Sequence, residues 1–387
     1  MHYAASYVPL VQEEAQVLRW DPNSRRKPTS VTVGSAFALK ALLEPGDHLW
    51  LMMGSTNVIA ALSAFRKGVE VHQLSFPRVQ SWLSSNGRQT EEEDTEEEQV
   101  GRRTKVHPSQ VLRAAQETPH LFYSLSGQQN EVLEIMGAWD EVRVAMRERL
   151  SSSNTLRASI HYQANVYGRV RGKQLPADPD EAQEQLSWIL YDLLDTRERD
   201  EQGKLTGRKR APSDPHIALL AEDEERKRSD LERICSRSAF YQHLFGDVEG
   251  VGSMIGARVI AAVERIERFA RPEDLSNYAG MLPRGKEGHM PARKSSKGQM
   301  LSRSPKLNTT CFLLQDHMFQ WGRNSELGQR LIGQVERNCP CTAEQRQKDK
   351  DLRRKHAQAV KQARIAMTRY FLEKIVWPRW RSYMGMR

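Results

Sequence analysis

The sequence predicts an α+β fold that is mostly α, and three observations carry that prediction. Between residues 30 and 74, short β-branched or apolar runs alternate with short helical segments. From residue 105 onward, apolar residues recur at three- and four-residue steps, the spacing of helices that bury one face. Charge is also uneven: Glu91–Glu98 reads EEEDTEEE, whereas the chain after Pro283 is rich in Lys and Arg.

Residues 1–88 read as a small α/β unit. Ser30–Gly34 (SVTVG) is a β-branched strand, and Phe37–Leu43 a helix that stops at Pro45-Gly46. His48–Met53 (HLWLMM) has the length of a buried strand. Asn57–Arg66 follows as a helix with Ile59, Leu62 and Phe65 on one face. After Gly68, Val69–Leu74 (VEVHQL) alternates as a strand does. This strand–helix–strand order implies a parallel pair with a right-handed crossover. Residues 89–104 form an acidic linker whose like charges repel and stay solvated. A sharper reading is a mimic of nucleic-acid charge.

Residues 105–241 form a helical connector and coiled-coil arm. One stripe runs through Leu133, Met136, Trp139, Val142 and Met146, and a second through Leu186, Ile189, Leu190, Leu193 and Leu194. A charged loop, Arg197–Asp214, separates the second stripe from a helix carrying Leu219, Leu220, Leu231 and Ile234. Two polar-faced helices around a loop predict an arm through which the chain forms a homo-oligomer. Residues 242–320 are an α-rich domain, and 321–387 a basic helical segment with a helix at 353–376 closed by Trp377-Pro378. Its buried side is Val360, Ala363, Met367, Tyr370 and Phe371.

Composition narrows the function. The 387 residues hold 58 Lys+Arg against 49 Asp+Glu, a net charge of +9, which favours an anionic partner. Mean hydropathy is −0.67. No run of about 18 apolar residues appears, so no membrane partner is expected, and the N-terminus lacks the pattern of a secretory signal. Four cysteines make no disulfide framework, which fits a cytoplasmic setting. Cys339-Pro340-Cys341 with His356 is a poor zinc set, and the eleven His do not fall at ligand spacing. Neither a P-loop nor G-x-S-x-G occurs. We expect no metal and no cofactor. Trp377, Trp380 and Tyr383 beside Arg379, Arg381 and Arg387 suit either base stacking or packing on the terminal helix.

The most informative block is Val248–Phe269, VEGVGSMIGARVIAAVERIERF. Gly250-Val251-Gly252 is a tight turn. The helix after it sets Ile255, Val259, Val263 and Ile266 on one face, the pattern of a helix-hairpin-helix element. Gly250, Gly252 and Ser253 would let the backbone approach a phosphate, with helix N-terminal N–H groups facing the anion. A plain inter-helix turn fits the same spacing. Asp274–Pro283 (DLSNYAGMLP) leads into a Gly-containing basic stretch: Arg284, Lys286, Arg293, Lys294, Lys297, Arg303 and Lys306 against Glu287. Such a stretch suits a phosphate backbone.

The GVG turn, a helix ending in RF, DLSNYAGMLP and the basic loop together resemble the C-terminal domain of DEDD-type insertion-sequence transposases related to Piv pilin-gene invertases, over residues 248–314. Trp50–Leu83 resembles that family's second strand–helix–strand, residues 120–240 its helical connector, and Lys355–Phe371 its terminal helix. The resemblance implies a reduced RuvC-like (RNase H-like) N-terminal domain, DNA as partner, and a structured non-coding RNA beside it. It also implies four acidic metal ligands and a serine that attacks DNA. The sequence departs from both. Residues 1–20 contain no Asp, Met53 stands where a Glu would, and Lys105–Ala115 (KVHPSQVLRAA) has no acid. Glu287-Gly288 replaces Ser-Gly, with Ser295, Ser296 and Ser302 out of register. Asp21, Glu44 and Asp47 read as surface residues beside turns. The sequence therefore describes a nucleic-acid binder that has lost catalysis. Its alternatives are an active recombinase with displaced residues and an oligomeric interaction protein that touches no nucleic acid.

Overall fold

The first 125 residues build a mixed sheet. The computed structural model describes residues 1–8, 15–24, 26–52, 57–74, 82, 106–125, 127–199, 205–281 and 304–386. The strands are His2–Ala5 (β1), Ala15–Trp20 (β2), Thr29–Val33 (β3), His48–Met52 (β4), Glu70–Leu74 (β5) and Tyr123–Ser124 (β6), in the order β3-β2-β1-β4-β5-β6. β1, β4 and β5 are parallel; β2, β3 and β6 pair antiparallel to their neighbours. Helices Ala36–Leu42 (α1), Val58–Arg66 (α2) and Pro108–Glu117 (α3) accompany the sheet. The Ser35 hydroxyl caps α1 by accepting from the Ala38 N–H.

The period-two register sorts side chains onto two faces. One face carries Ala4, Trp20, Trp50, Met52 and Leu74, packed with Val111, Leu112, Ala114 and Ala115 of α3 and with Trp82 and Phe122. The alternate residues Tyr3, Ala5, Leu49, Leu51 and Val71 are buried on the opposite face, where Tyr3 hydrogen-bonds the Leu42 carbonyl at the end of α1.

The sequence reading located β3, α1, β4, α2 and β5 but assigned no strand to residues 1–20. β1 is a four-residue run with two alanines, and its place at the centre of the sheet comes from partners on both sides. Asp47 also departs from its surface expectation. It is buried, accepting from the Met1 amine at 2.9 Å and from the Glu44 N–H at 2.8 Å.

The described residues divide into two compact units, 1–137 with 235–387, and 138–234. The first unit continues after residue 237 with Ala239–Phe245 (α7), Ser253–Val263 (α8), a 3-10 turn at Ile266–Arg268, and Pro272–Tyr278 (α9). Then come Pro305–Gln320 (α10), Glu326–Asn338 (α11), Ala343–Lys348 (α12), Lys350–Tyr370 (α13), a π-helical turn Phe371–Val376 and Trp377–Tyr383 (α14). Trp377-Pro378 therefore does not close the terminal helix. Pro378 falls in the first turn of α14, directly after the π-helical turn, and the chain stays helical through it. Of the C-terminal aromatics suited to base stacking, Trp380 is withdrawn from it by burial. Trp380 is fully buried edge-on to Phe240, Trp377 Nε1 donates to the Phe269 carbonyl, and the Tyr383 hydroxyl donates to Glu131.

The second unit takes most of Gly127–Tyr167 (α4), then Pro179–Leu194 (α5) and most of Pro215–Arg237 (α6). Its core is Ile160, Val170, Leu186, Leu193, Leu194 and Ile217. The segment read as a charged loop contains an antiparallel pair, Arg197–Arg199 (β9) with Leu205–Lys209 (β10). A shorter pair, Arg169–Val170 (β7) with Lys173–Gln174 (β8), joins α4 to α5.

Candidate nucleic-acid interface

The glycine turn lies between α7 and α8, and its glycines have different reasons to be glycine. Gly250 has φ +84°, and a Cβ there would lie 2.6 Å from Met318 Cε of α10. Gly256, inside α8, lets that helix cross α7 closely: a Cβ would lie 2.6 Å from Tyr241 Oη and 2.9 Å from Phe245 Cδ2. Gly252 is the N-cap of α8, exposed, with open space where a Cβ would point. Ser253 is half-buried at the first helical position. The first N–H groups of any helix lack intrahelical partners, so of the three residues singled out, Gly252 and Ser253 border the accessible helix start, while Gly250 is committed to packing. Gly256 was missed because its signal is tertiary contact with α7. The helix also ends earlier than its apolar spacing indicated. α8 stops at Val263, Glu264 takes φ 63°, and Ile266 is buried from the separate 3-10 turn.

Of the seven basic residues after Pro283, Lys306 is exposed in the first turn of α10. Arg284, Lys286, Arg293, Lys294, Lys297 and Arg303 lie outside the described residues. The chain on either side is closely held: the Ser304 N–H donates to the Tyr278 carbonyl at 2.7 Å, and Asn308 Nδ2 to the Ala279 carbonyl at 2.7 Å. Leu275, Ala279 and Met281 of DLSNYAGMLP are core residues. The glycine turn and Lys306 do not meet. Gly250 packs on Met318, which is twelve residues along α10 from Lys306, or about 18 Å at 1.5 Å per residue.

Where β1, the end of β4 and α3 converge, the packing is apolar. Ala4, Met52, Leu74, Val111 and Ala115 belong to one cluster. Asn57 closes this end of the sheet: Nδ2 donates to the Ser6 carbonyl at 3.0 Å and the Met52 carbonyl at 2.8 Å, while Oδ1 accepts from the Val8 N–H at 2.9 Å. α3 opens with His107 as N-cap, its backbone N–H donating to Gln110 Oε1, and its buried positions are Pro108, Val111, Leu112, Ala114 and Ala115. Met53 itself lies outside the described residues. Among these described side chains there is no carboxylate, the ligand type that the four-carboxylate metal set implied by the resemblance would require for a hard cation.

The opposite ends of the same strands are polar, and here histidines that show no ligand spacing in the sequence meet in the fold. His2, His48 and His72 come together through strand register. His2 stacks on His48 with centroids 4.3 Å apart, His48 on His72 at 5.5 Å, and Trp50 on His72 at 4.1 Å. Burial, reinforced by His48, pushes His72 down to about 4 and lowers His2 as well. The three histidines are 24 or more positions apart in sequence, so no local spacing announces them.

No helix among the described residues is long and apolar enough to cross a membrane. No curated protein matches the chain. The block from α7 through the start of α10 does find a counterpart: residues 242–304 match the family model of the IS116/IS110/IS902 transposases, so this part of the chain is similar to an insertion-sequence transposase domain.

Proposed function

We propose that this chain is a transposase-related nucleic-acid-binding protein that has lost strand-transfer chemistry. The family match over 242–304 carries this reading, because it spans both the glycine turn and nearly all of the basic stretch. Gly252 and Ser253 offer N–H groups at the start of α8 to a phosphate. Arg284, Lys286, Arg293, Lys294, Lys297, Arg303 and Lys306 supply charge along a DNA backbone without reading bases. A structured RNA is a second polyanion the same cations would accept.

We read the N-terminal sheet as the reduced RuvC-like domain. The apolar packing of Ala4, Met52, Leu74, Val111 and Ala115 supports lost catalysis, since carboxylates cannot be replaced there without unpacking the sheet from α3. The arm at residues 186–240 is read as the homo-oligomer contact, supported by the exposed Trp188 and Leu219.

The test has two arms. Binding of duplex DNA should weaken with salt, and neutralising Arg293, Lys294 and Lys297 together should flatten the log–log salt slope by about one unit per lost phosphate contact. An unchanged slope would favour an interaction protein that touches no nucleic acid. With Mg²⁺ present, cleavage or strand exchange of a suitable DNA would overturn the loss of catalysis.

A further inference from the structure

The polar end of the sheet gathers metal-ligating types of side chain that the proposed function does not use. Strand register brings four residues to one face: His2 of β1 opposite His48 of β4, His48 opposite Glu70 of β5, and His72 two residues beyond Glu70, opposite Trp50. His48 Nδ1 lies 3.2 Å from His72 Nε2 and 3.3 Å from Glu70 Oε2. The three ligand atoms all fall within 4.8 Å of one another. In a tetrahedral zinc site with metal–ligand bonds of about 2.0–2.1 Å, neighbouring ligand atoms stand about 3.3 Å apart. Two of the three edges therefore already have the length the ion would impose.

The surroundings fix the rings in a ligand-like pose. His72 Nδ1 is engaged with Ser124 Oγ of β6 at 3.0 Å, so a proton on Nδ1 leaves the Nε2 lone pair directed at His48. This is the outer hydrogen bond that sets the tautomer of a metal-bound imidazole. Trp50 stacks on His72 and donates Nε1–H to His2 Nδ1 at 3.2 Å, while His2 stacks on His48. The Glu70 side chain is 63% exposed and that of His48 29%, so an ion from solvent has a path in. Two imidazoles and one carboxylate suit a borderline ion of the zinc class better than Mg²⁺ or Ca²⁺.

We propose that His48, Glu70 and His72 form a binding site for a divalent transition-metal ion of the zinc class, clamping β4 to β5. Without an ion, the same geometry is an N–H···N hydrogen bond beside a carboxylate, and the experiment separates the two. The full chain, stripped with a chelator, is titrated with Zn²⁺ by calorimetry and with Co²⁺ by visible absorption, which reports tetrahedral coordination. One equivalent should bind, with a tetrahedral cobalt spectrum. Glu70→Gln and His48→Gln should each weaken binding at least as much as the order of 10-fold seen for loss of an outer-shell partner, and Ser124→Ala by about 10-fold. The double variant His48→Gln/Glu70→Gln, verified as folded by circular dichroism, should bind no ion here. The proposal is overturned if no ion binds. It is overturned equally if one equivalent survives in that double variant and is lost instead in Cys339→Ser/Cys341→Ser.

Discussion

One face of one sheet ends in two different chemistries. At the N-terminal ends of β1, β4 and β5 stand His2, His48, Glu70 and His72. Toward the C-terminal ends, the same face holds Ala4, Met52 and Leu74 under α3. Trp50 belongs to both, stacking on His72 and meeting Phe122 edge-on at 4.9 Å. The strands are continuous, so the backbone does not decide the difference; the side chains and their burial do. Val111, Leu112 and Ala115 of α3 share one apolar cluster with Ala4, Met52 and Leu74, where a charge would be stranded. The N-terminal ends keep solvent within reach, and there polar rings persist. A single sheet can thus be packed closed at one end and remain chemically open at the other.

The largest predicted effect tests the sealed end directly. Met52→Asp, which puts a carboxylate under α3, should destabilise the protein by about 4 kcal/mol or more in chemical denaturation, as for an uncompensated buried charge. A Met52→Asp protein of unchanged stability would mean that this end still accommodates acids, and would reopen the recombinase reading.

The C-terminal half repeats the contrast between closed and open positions within one turn. Gly256→Ala forces a methyl against the rings of Tyr241 and Phe245 and should cost about 1–3 kcal/mol, the range for overpacking. Next comes a carboxylate that the fold does retain. Glu131 accepts from the Ser238 hydroxyl, the Phe240 N–H and the Tyr383 hydroxyl. Burial pushes its carboxyl up, but these donors outweigh burial and hold it below the usual glutamate range. Its stabilisation is therefore complete at neutral pH and fades as pH falls through that range. Glu131→Gln should lower neutral-pH stability by about 1 kcal/mol and flatten the acid side of the stability curve. Smallest is Gly252→Ala, with open space at the Cβ and an ordinary backbone angle. Its stability change should stay within about 0.5 kcal/mol, while DNA affinity falls if the α8 start approaches phosphate. Unchanged affinity in this variant would confine phosphate contact to the basic stretch.

Legibility followed the range of the physical signal. β3, α1, β4, α2 and β5 showed in the sequence because alternation, apolar runs and Gly or Pro stops act within a few residues. The apolar stripe of α4 was equally plain: Leu133, Met136, Trp139 and Val142 are all buried. β1 was not legible, since HYAA takes its strand character from β2 and β4 on either side. The continuation of the terminal helix through Pro378 was hidden too, because a proline reads as a stop unless the turn leading into it is seen to change register.

By itself, the sequence determined the fold class, the acidic and basic partition of the chain, and the transposase-like block that the family match at 242–304 supports. Those properties depend on composition and short-range order, which burial does not alter. Only the tertiary structure decided that Gly250 packs against Met318, that Trp380 is core, and that three histidines 24 or more residues apart share one end of a sheet. Each of these depends on strand register or helix crossing, and both are set by long-range packing that no local spacing encodes.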